Sequence, residues 1–316
     1  MGYGVRQTTH RPLGCSRFGF GLFPALAVAG LLLTGGCGTS GAPGPEVPET
    51  QGTWVDYTVM TYNVLFALPN PDFDPWPVRR EHVAAAIRRF TPDLIGLQEP
   101  LPNQVTDLLG LCPEYGAAQI WDTDATTLYR KERFEVRETG TYWLSPTPDV
   151  PFSVGFGNFF PRLVIWARLA DLQAGREFFL VNTHFDNTTP SQERSAPLFL
   201  ERTAPLTADS FVIATGDFNS RPPSTAYQTL TLGTSEVGQG AFRLTDSHSI
   251  SSAQEVVARP GDPTDFDPLS RIDHIFVAGG RFACTAWIVD MTSYGDERQY
   301  PSDHFPVVAR LRDRVD

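Results

Sequence analysis

From residue 53 to the end, short apolar runs alternate with polar breaks, and each run carries its own period. Residues 56–63 alternate and are rich in β-formers, which predicts a strand ending on Asn63. In 78–90, Val83, Ala86, Ile87 and Phe90 recur at helical spacing, with Arg79, Arg80, Arg88 and Arg89 assigned to solvent. A short buried strand over 93–97 delivers Glu99, and 101–109 reads as a short helix. Residues 126–129 and 134–143 read as strands around a charged turn at 130–133. Two more strands, 163–169 and 177–182, flank the turn at Ala174-Gly175. A helix is expected over 190–206, then a continuous apolar strand over 211–215, then a loop and short helix over 221–230. Runs at 272–277, 283–289 and 305–311 complete the strands. Successive strands with helices interspersed predict an α/β sandwich, two mixed sheets packed together with helices outside. No linker divides 53–316, so one domain is expected there.

The N-terminal part follows a different pattern. Arg6, Arg11 and Arg17 lead into an apolar stretch over 18–33, followed by Thr34-Gly35-Gly36-Cys37. That is the layout of an export signal over 1–36, and the apolar run is shorter than the ~20 residues of a stable membrane span. Cys37 after small residues resembles a bacterial lipobox, with Thr34 where Leu or Val is usual. It is the candidate lipidation site. The expected location is therefore outside the cytoplasm, as a cell-envelope lipoprotein attached to the membrane by its N-terminal lipid, or secreted. Residues 37–52 are rich in Gly and Pro and read as a tether. Cys112 and Cys284 remain in the domain, either bonded or as two buried thiols.

Charge narrows the substrate. Taking the three leader arginines from the 25 basic residues leaves 22 against 36 acidic ones, a charge of −14. A field of that sign repels long polyanions, so nucleic acid is not the favoured substrate.

The chemistry sits where apolar runs end. Asn63 and Glu99 each follow a strand and offer hard oxygen, which suits Mg²⁺, with Mn²⁺ as the alternative. Asn182-Thr183-His184, Gly216-Asp217-Phe218-Asn219, Ile272-Asp273-His274 and Ser302-Asp303-His304 follow in order. Any one of them has a plainer reading as a turn, a cap or a surface charge. Asp217 and Asn219 are two apart, so extended backbone would point both side chains the same way. His184 is suited to stabilising charge on phosphorus. His304, with an ordinary pKa near 6.5, is suited to act as a general base with a carboxylate behind it: Asp273 is the candidate, with Asp303 facing the metal or the water, and the reverse pairing is the alternative.

These motifs, with Thr61-Tyr62-Asn63-Val64-Leu65 and Gln98-Glu99, resemble the endonuclease/exonuclease/phosphatase superfamily over about residues 56–312. The resemblance implies a four-layered, DNase I-like α/β sandwich and Mg²⁺-dependent phosphoester hydrolysis. It implies metal ligation by Glu99, with Asn63 near it and Asp303 beside the metal. It places His184, Asp217 and Asn219 around the phosphate and pairs Asp273 with His304. Leu65 departs from members that carry an acidic residue two places after the Asn. Thr141-Tyr142-Trp143-Leu144-Ser145-Pro146, Arg162 and Arg194 are similar to a secreted or lipid-anchored bacterial group, and both arginines are candidate substrate-binding residues.

The expected activity is hydrolysis of a small or lipid-linked phosphoester, mono- or diester, by a monomer. An extracellular nuclease, a sphingomyelinase-like phospholipase and a non-catalytic surface binding protein are the alternatives. The aromatic, Gly-rich stretch 152–160 bears on the phospholipase: it is suited to touching lipid, capping the core or walling a pocket.

Overall fold

The computed structural model describes residues 52–119, 124–233 and 242–316. The expected export signal, Cys37 and all but the last residue of the tether lie outside the described residues. Gln51–Asp316 hold together as one compact unit.

In chain order the elements are β1 (Trp54–Asn63), α1 (Trp76–Phe90), β2 (Leu94–Gln98), α2 (Pro102–Leu111), β3 (Tyr115–Gln119), β4 (Ala125–Arg130) and β5 (Phe134–Trp143). Then come β6 (Leu163–Asp171), β7 (Arg176–His184), α3 (Ser191–Thr203), β8 (Val212–Asp217), α4 (Thr225–Leu232) and β9 (Thr245–Asp246). Last are β10 (Gln254–Val257), β11 (Asp273–Ala278), β12 (Phe282–Asp290) and β13 (Val307–Arg314). One sheet runs β10-β12-β13-β1-β2-β4-β3 and the other β5-β6-β7-β8-β11-β9.

Alternation within the strands builds the layers. Tyr57 and Val59 of β1 point into the core between the sheets, where they join Leu180, Ile213, Ile275 and Ala309. Met60 and Tyr62 point the other way, into a core with Val83 and Ile87 of α1 and Val105 of α2. On the second sheet, Val212 and Ala214 of β8 meet Phe199 of α3 and Leu230 of α4. The result is the expected α/β/β/α sandwich of two mixed sheets with helices outside.

Three strands had no clear signal in the pattern. β3 is Tyr-Gly-Ala-Ala-Gln, weak in β-formers, while β9 and β10 are short; all three lie at sheet edges. Arg79 overturns another expectation. It lies four residues before Val83, on the buried face of α1, and is itself buried. Cys112 and Cys284 are both buried and free.

Between the sheets, just below one rim, lies a polar layer. Gln98 Nε2 donates to Asn182 Oδ1 (2.7 Å), as does Thr215 Oγ1 (3.1 Å). Asn182 Nδ2 donates to the carbonyls of Leu97 and Thr126, both at 2.8 Å. The sheets approach so closely there that a Cβ on Gly96 would stand 2.0 Å from Thr215 Oγ1. Such a satisfied buried network fixes how one sheet sits on the other. Gln98 and Asn182 therefore serve the scaffold, although each sits in a motif with a site residue.

Candidate active site

Strand register assembles the site. β1 and β2 run parallel with Asn63 opposite Gln98, so Glu99 emerges beside Asn63. β7 and β8 run parallel with His184 opposite Asp217. β11 runs back along β8 with Asp273 opposite Asp217. The loop before β13 brings Asp303 and His304 to the same rim, because Ser302 Oγ donates to the Asn63 carbonyl (2.7 Å).

One atom ties these groups together. Asp217 Oδ2 accepts from Asn63 Nδ2 at 3.3 Å and lies 3.4 Å from His184 Nε2 and 3.6 Å from His304 Nε2. The same Asn63 Nδ2 donates to Glu99 Oε1 at 3.3 Å, and Phe66 N donates to Glu99 Oε2 at 3.2 Å. Asp273 Oδ2 accepts from His304 Nδ1 at 2.8 Å. Residues more than two hundred positions apart thus form one chain of contacts from Glu99 to Asp273.

Backbone strain aims these side chains. Leu65, Glu99 and Asn219 all adopt left-handed backbone, with φ of 56°, 61° and 48°. Non-glycine residues are held there only where the surroundings over-determine them. The Asn219 conformation corrects the extended geometry expected for 217–219. The Asn219 amide N–H closes a turn on Asp217 Oδ1 (2.9 Å), and its side-chain Nδ2 donates to the Phe185 carbonyl (3.0 Å).

Two residues invisible as site residues in the sequence are essential to this geometry. Arg79 uses all five of its N–H groups on backbone carbonyls. Nε donates to Asp74 (2.9 Å), Nη1 to Val64 and Pro301 (both 2.8 Å), and Nη2 to Leu65 (3.0 Å) and Phe66 (3.1 Å). It therefore joins the loop after Asn63 to the loop before His304. The helical spacing of Arg79 with Val83 was the signal for it. Asp124 is the second. Its Oδ2 lies 3.2 Å from His184 Nδ1 and pairs with Arg162 Nη1, which is itself 3.1 Å from His184 Nδ1. No motif in the sequence marks it.

The electrostatics differ from expectation at His304. Burial works to lower its pKa, but the carboxylates of Asp273, Asp217 and Asp303 outweigh that and push it up to about 10. Without a cation on these carboxylates the imidazole favours its charged form, against the ordinary value near 6.5 expected for it. His184 is raised too, because Asp217 and Asp124 outweigh its burial. Asp217 is raised by burial and by Asp273 beside it.

The two expected substrate arginines diverge. Arg162 is tied up in ion pairs with Asp124 and, at 3.5 Å, Asp186. Arg194 is exposed on α3, and its side chain contacts none of these groups among the described residues.

The donor set suits a hard divalent cation. Glu99, Asp217, Asp273 and Asp303 bring four carboxylates to one rim, and Asp273 Oδ1 is buried without a hydrogen-bond partner. Asp217, Asp273 and His304 place donor atoms within 4.8 Å of one another. His304 Nδ1 is already spent on Asp273, so that trio works as a hydrogen-bonded relay. Glu99, whose two oxygens are each steered by one N–H donor, and the exposed Asp303 keep lone pairs for a cation.

Residues 60–304 match the endonuclease/exonuclease/phosphatase family. The chain belongs to that family. Its members are phosphoester hydrolases. It is similar to an endonuclease/exonuclease/phosphatase family protein from Bacteroides thetaiotaomicron, with 28% identity, a TM-score of 0.71, and 84% of this chain and 100% of that chain covered. A mannosyl-6-phosphatase from the same organism shares 30% identity at a TM-score of 0.68, covering 81% of this chain and 99% of that one. An uncharacterised protein of Acanthamoeba polyphaga mimivirus, L388, is 26% identical over 253 residues, 74% of this chain and 91% of that protein. These likenesses agree with the four-layered DNase I-like sandwich seen in the strand order.

Proposed function

We propose that this family member is a divalent-metal-dependent phosphomonoesterase that releases phosphate from a small sugar-like ester outside the cytoplasm. The observation that carries the reaction is the convergence of Asn63, His184 and His304 on one oxygen of Asp217, with Glu99 on the same Asn63 amide. The sugar-like substrate is supported by the similarity to a mannosyl-6-phosphatase over 99% of that protein.

In this reading Glu99 and Asp303 hold Mg²⁺ or Mn²⁺, with Asn63 steering the Glu99 carboxylate. A cation bound there supplies Lewis-acid polarisation of a phosphoryl oxygen. Asp217 has a raised pKa and stands between the imidazoles of His184 and His304, so it is placed to orient water and take its proton. His184 and His304 direct Nε2–H groups to where negative charge builds on the phosphoryl oxygens. Asp273 fixes the His304 ring through Nδ1 and keeps it charged. Water attacks phosphorus as Asp217 takes its proton, the ester P–O bond breaks, and the leaving alkoxide takes up that proton to depart as the alcohol. Asn219 holds the turn that presents Asp217.

The protein acts as a monomer, carried to the cell envelope by its leader and held there by a lipid on Cys37. Cys37→Ser would then release it from the membrane fraction. Among the described residues no helix is long and apolar enough to cross a membrane. The deciding assay compares phosphomonoesters, phosphodiesters and plasmid DNA with Mg²⁺ or Mn²⁺. Phosphate release from hexose 6-phosphates is expected, and faster cleavage of DNA than of any monoester would overturn the reading.

A further inference from the structure

A cleft of about 550 Å³ opens beside the site, walled by Phe66, Leu101, Phe152 and Phe160, with Asp124 and Arg162 at one end. Three of its lining residues contact site residues. The Phe66 amide holds Glu99, and Asp124 and Arg162 hold His184. The cleft is therefore one residue removed from Glu99 on one contact and from His184 on another.

The cleft wall is preformed. Asn158 braces the loop that carries Phe152 and Phe160: its Oδ1 accepts from Gly155 N (3.2 Å) and its Nδ2 donates to the Phe160 carbonyl (2.6 Å). Phe152 leans on Trp143, with ring centroids 5.9 Å apart. Even so, Phe152 and Phe160 remain 55% and 72% exposed. Large apolar groups left this open at a functional rim mark a place that a ligand covers.

The chemistry of the two ends selects the ligand. Aromatic walls suit a flat or chair-like ring with an apolar face. An alkyl chain filling the same space would strip water from the Asp124–Arg162 pair and give it no hydrogen bond in return, which is unfavourable. A ring edged with hydroxyls, or an aryl ring stopping short of the pair, avoids that loss. We infer that this cleft is the leaving-group subsite and that it selects phosphate carried on a ring, sugar-like or aryl, over phosphate on an open chain. The inference rests on the phosphomonoesterase reading and deepens it.

The test is a ratio of ratios. The specificity constants for phenyl phosphate, ethyl phosphate and octyl phosphate are measured for the wild type and for Phe152→Ala/Phe160→Ala. Dividing variant by wild type removes the intrinsic reactivity of each ester. The double variant is expected to lose roughly tenfold of its phenyl-over-ethyl preference, chiefly through KM. Leu172→Ala, an equally exposed apolar residue on the β6–β7 turn, leaves the preference unchanged. A ratio within twofold of wild type overturns the subsite. A larger loss for octyl than for phenyl phosphate overturns the choice of a ring. If the wild type hydrolyses no monoester with Mg²⁺ or Mn²⁺, the proposed activity has failed. The subsite is then judged by calorimetry with phenyl β-mannoside. Binding that the double variant abolishes sustains it, and absence of binding to the wild type ends it.

Discussion

The reacting cluster and the cleft beside it are built in opposite ways. The cluster stands on strand ends whose register is fixed by ladders in both sheets, and most of its groups are buried and hydrogen-bonded to backbone or to each other. The cleft stands on loops, its walls are apolar, and two of its aromatic rings face solvent. Chemistry needs groups held to within a fraction of an ångström, which paired strands supply. Selection of a leaving group needs shape and apolar area, and loops vary these without moving the strands. On the proposed function, then, the reaction type would belong to the sheets and the substrate preference to the loops.

The largest effect is expected from removing cluster groups. Glu99→Ala and His304→Ala should each lower kcat/KM by about 10³ or more. Their circular dichroism should match wild type and their Tm should stay within a few degrees. Turnover within tenfold of wild type in either would separate that residue from the reaction.

Arg79→Met attacks the cluster from behind. It leaves five carbonyls short of a donor, in a region where each unmade bond costs about 1 kcal/mol or more. Stability in urea should fall by about 3 kcal/mol or more, with kcat falling further than KM rises. A variant as stable as wild type would show that the two loops hold without it.

The charged state of His304 can be read in metal-chelated protein. Its folded pKa, about 10, lies above the ordinary value near 6.5. A raised histidine contributes stability that is full below about pH 6.5 and is lost as pH rises through 10. The raised Asp217 acts in the same direction, since its folded form also holds its proton longer. Urea midpoints should therefore fall on going from pH 6.5 to 10, on the order of 4 kcal/mol in stability, and less so in His304→Ala. An equal slope in both proteins would remove His304 as the source.

The smallest effect belongs to the cleft, where the paired phenylalanine substitutions shift a preference and leave the reaction type intact. If they abolished turnover on every ester, the contrast between sheets and loops would not hold.

Much of this was legible in the sequence. Polar motifs closing apolar runs located Asn63, Glu99, His184, Asp217, Asp273 and His304, because strand ends in one sandwich share a rim. Asp124 was not legible, since a single acid just before a strand has no periodic signature. Arg162 was legible as a cation but not as one already committed to Asp124 and Asp186. Gln98 and Asn182 sat in the right motifs but lie deeper between the sheets, where their amides bond each other and buried backbone carbonyls. Arg79 was assigned to solvent by residue type, against its own position on the apolar face of α1.

The sequence by itself determined the layered fold, the family and the inventory of reacting groups, since these follow from local period and from residue order. Only the tertiary structure decided which oxygen the groups share, which arginines are free, and what charge His304 carries. Those properties depend on distances between strands that are remote in the chain, and on burial that no local pattern encodes.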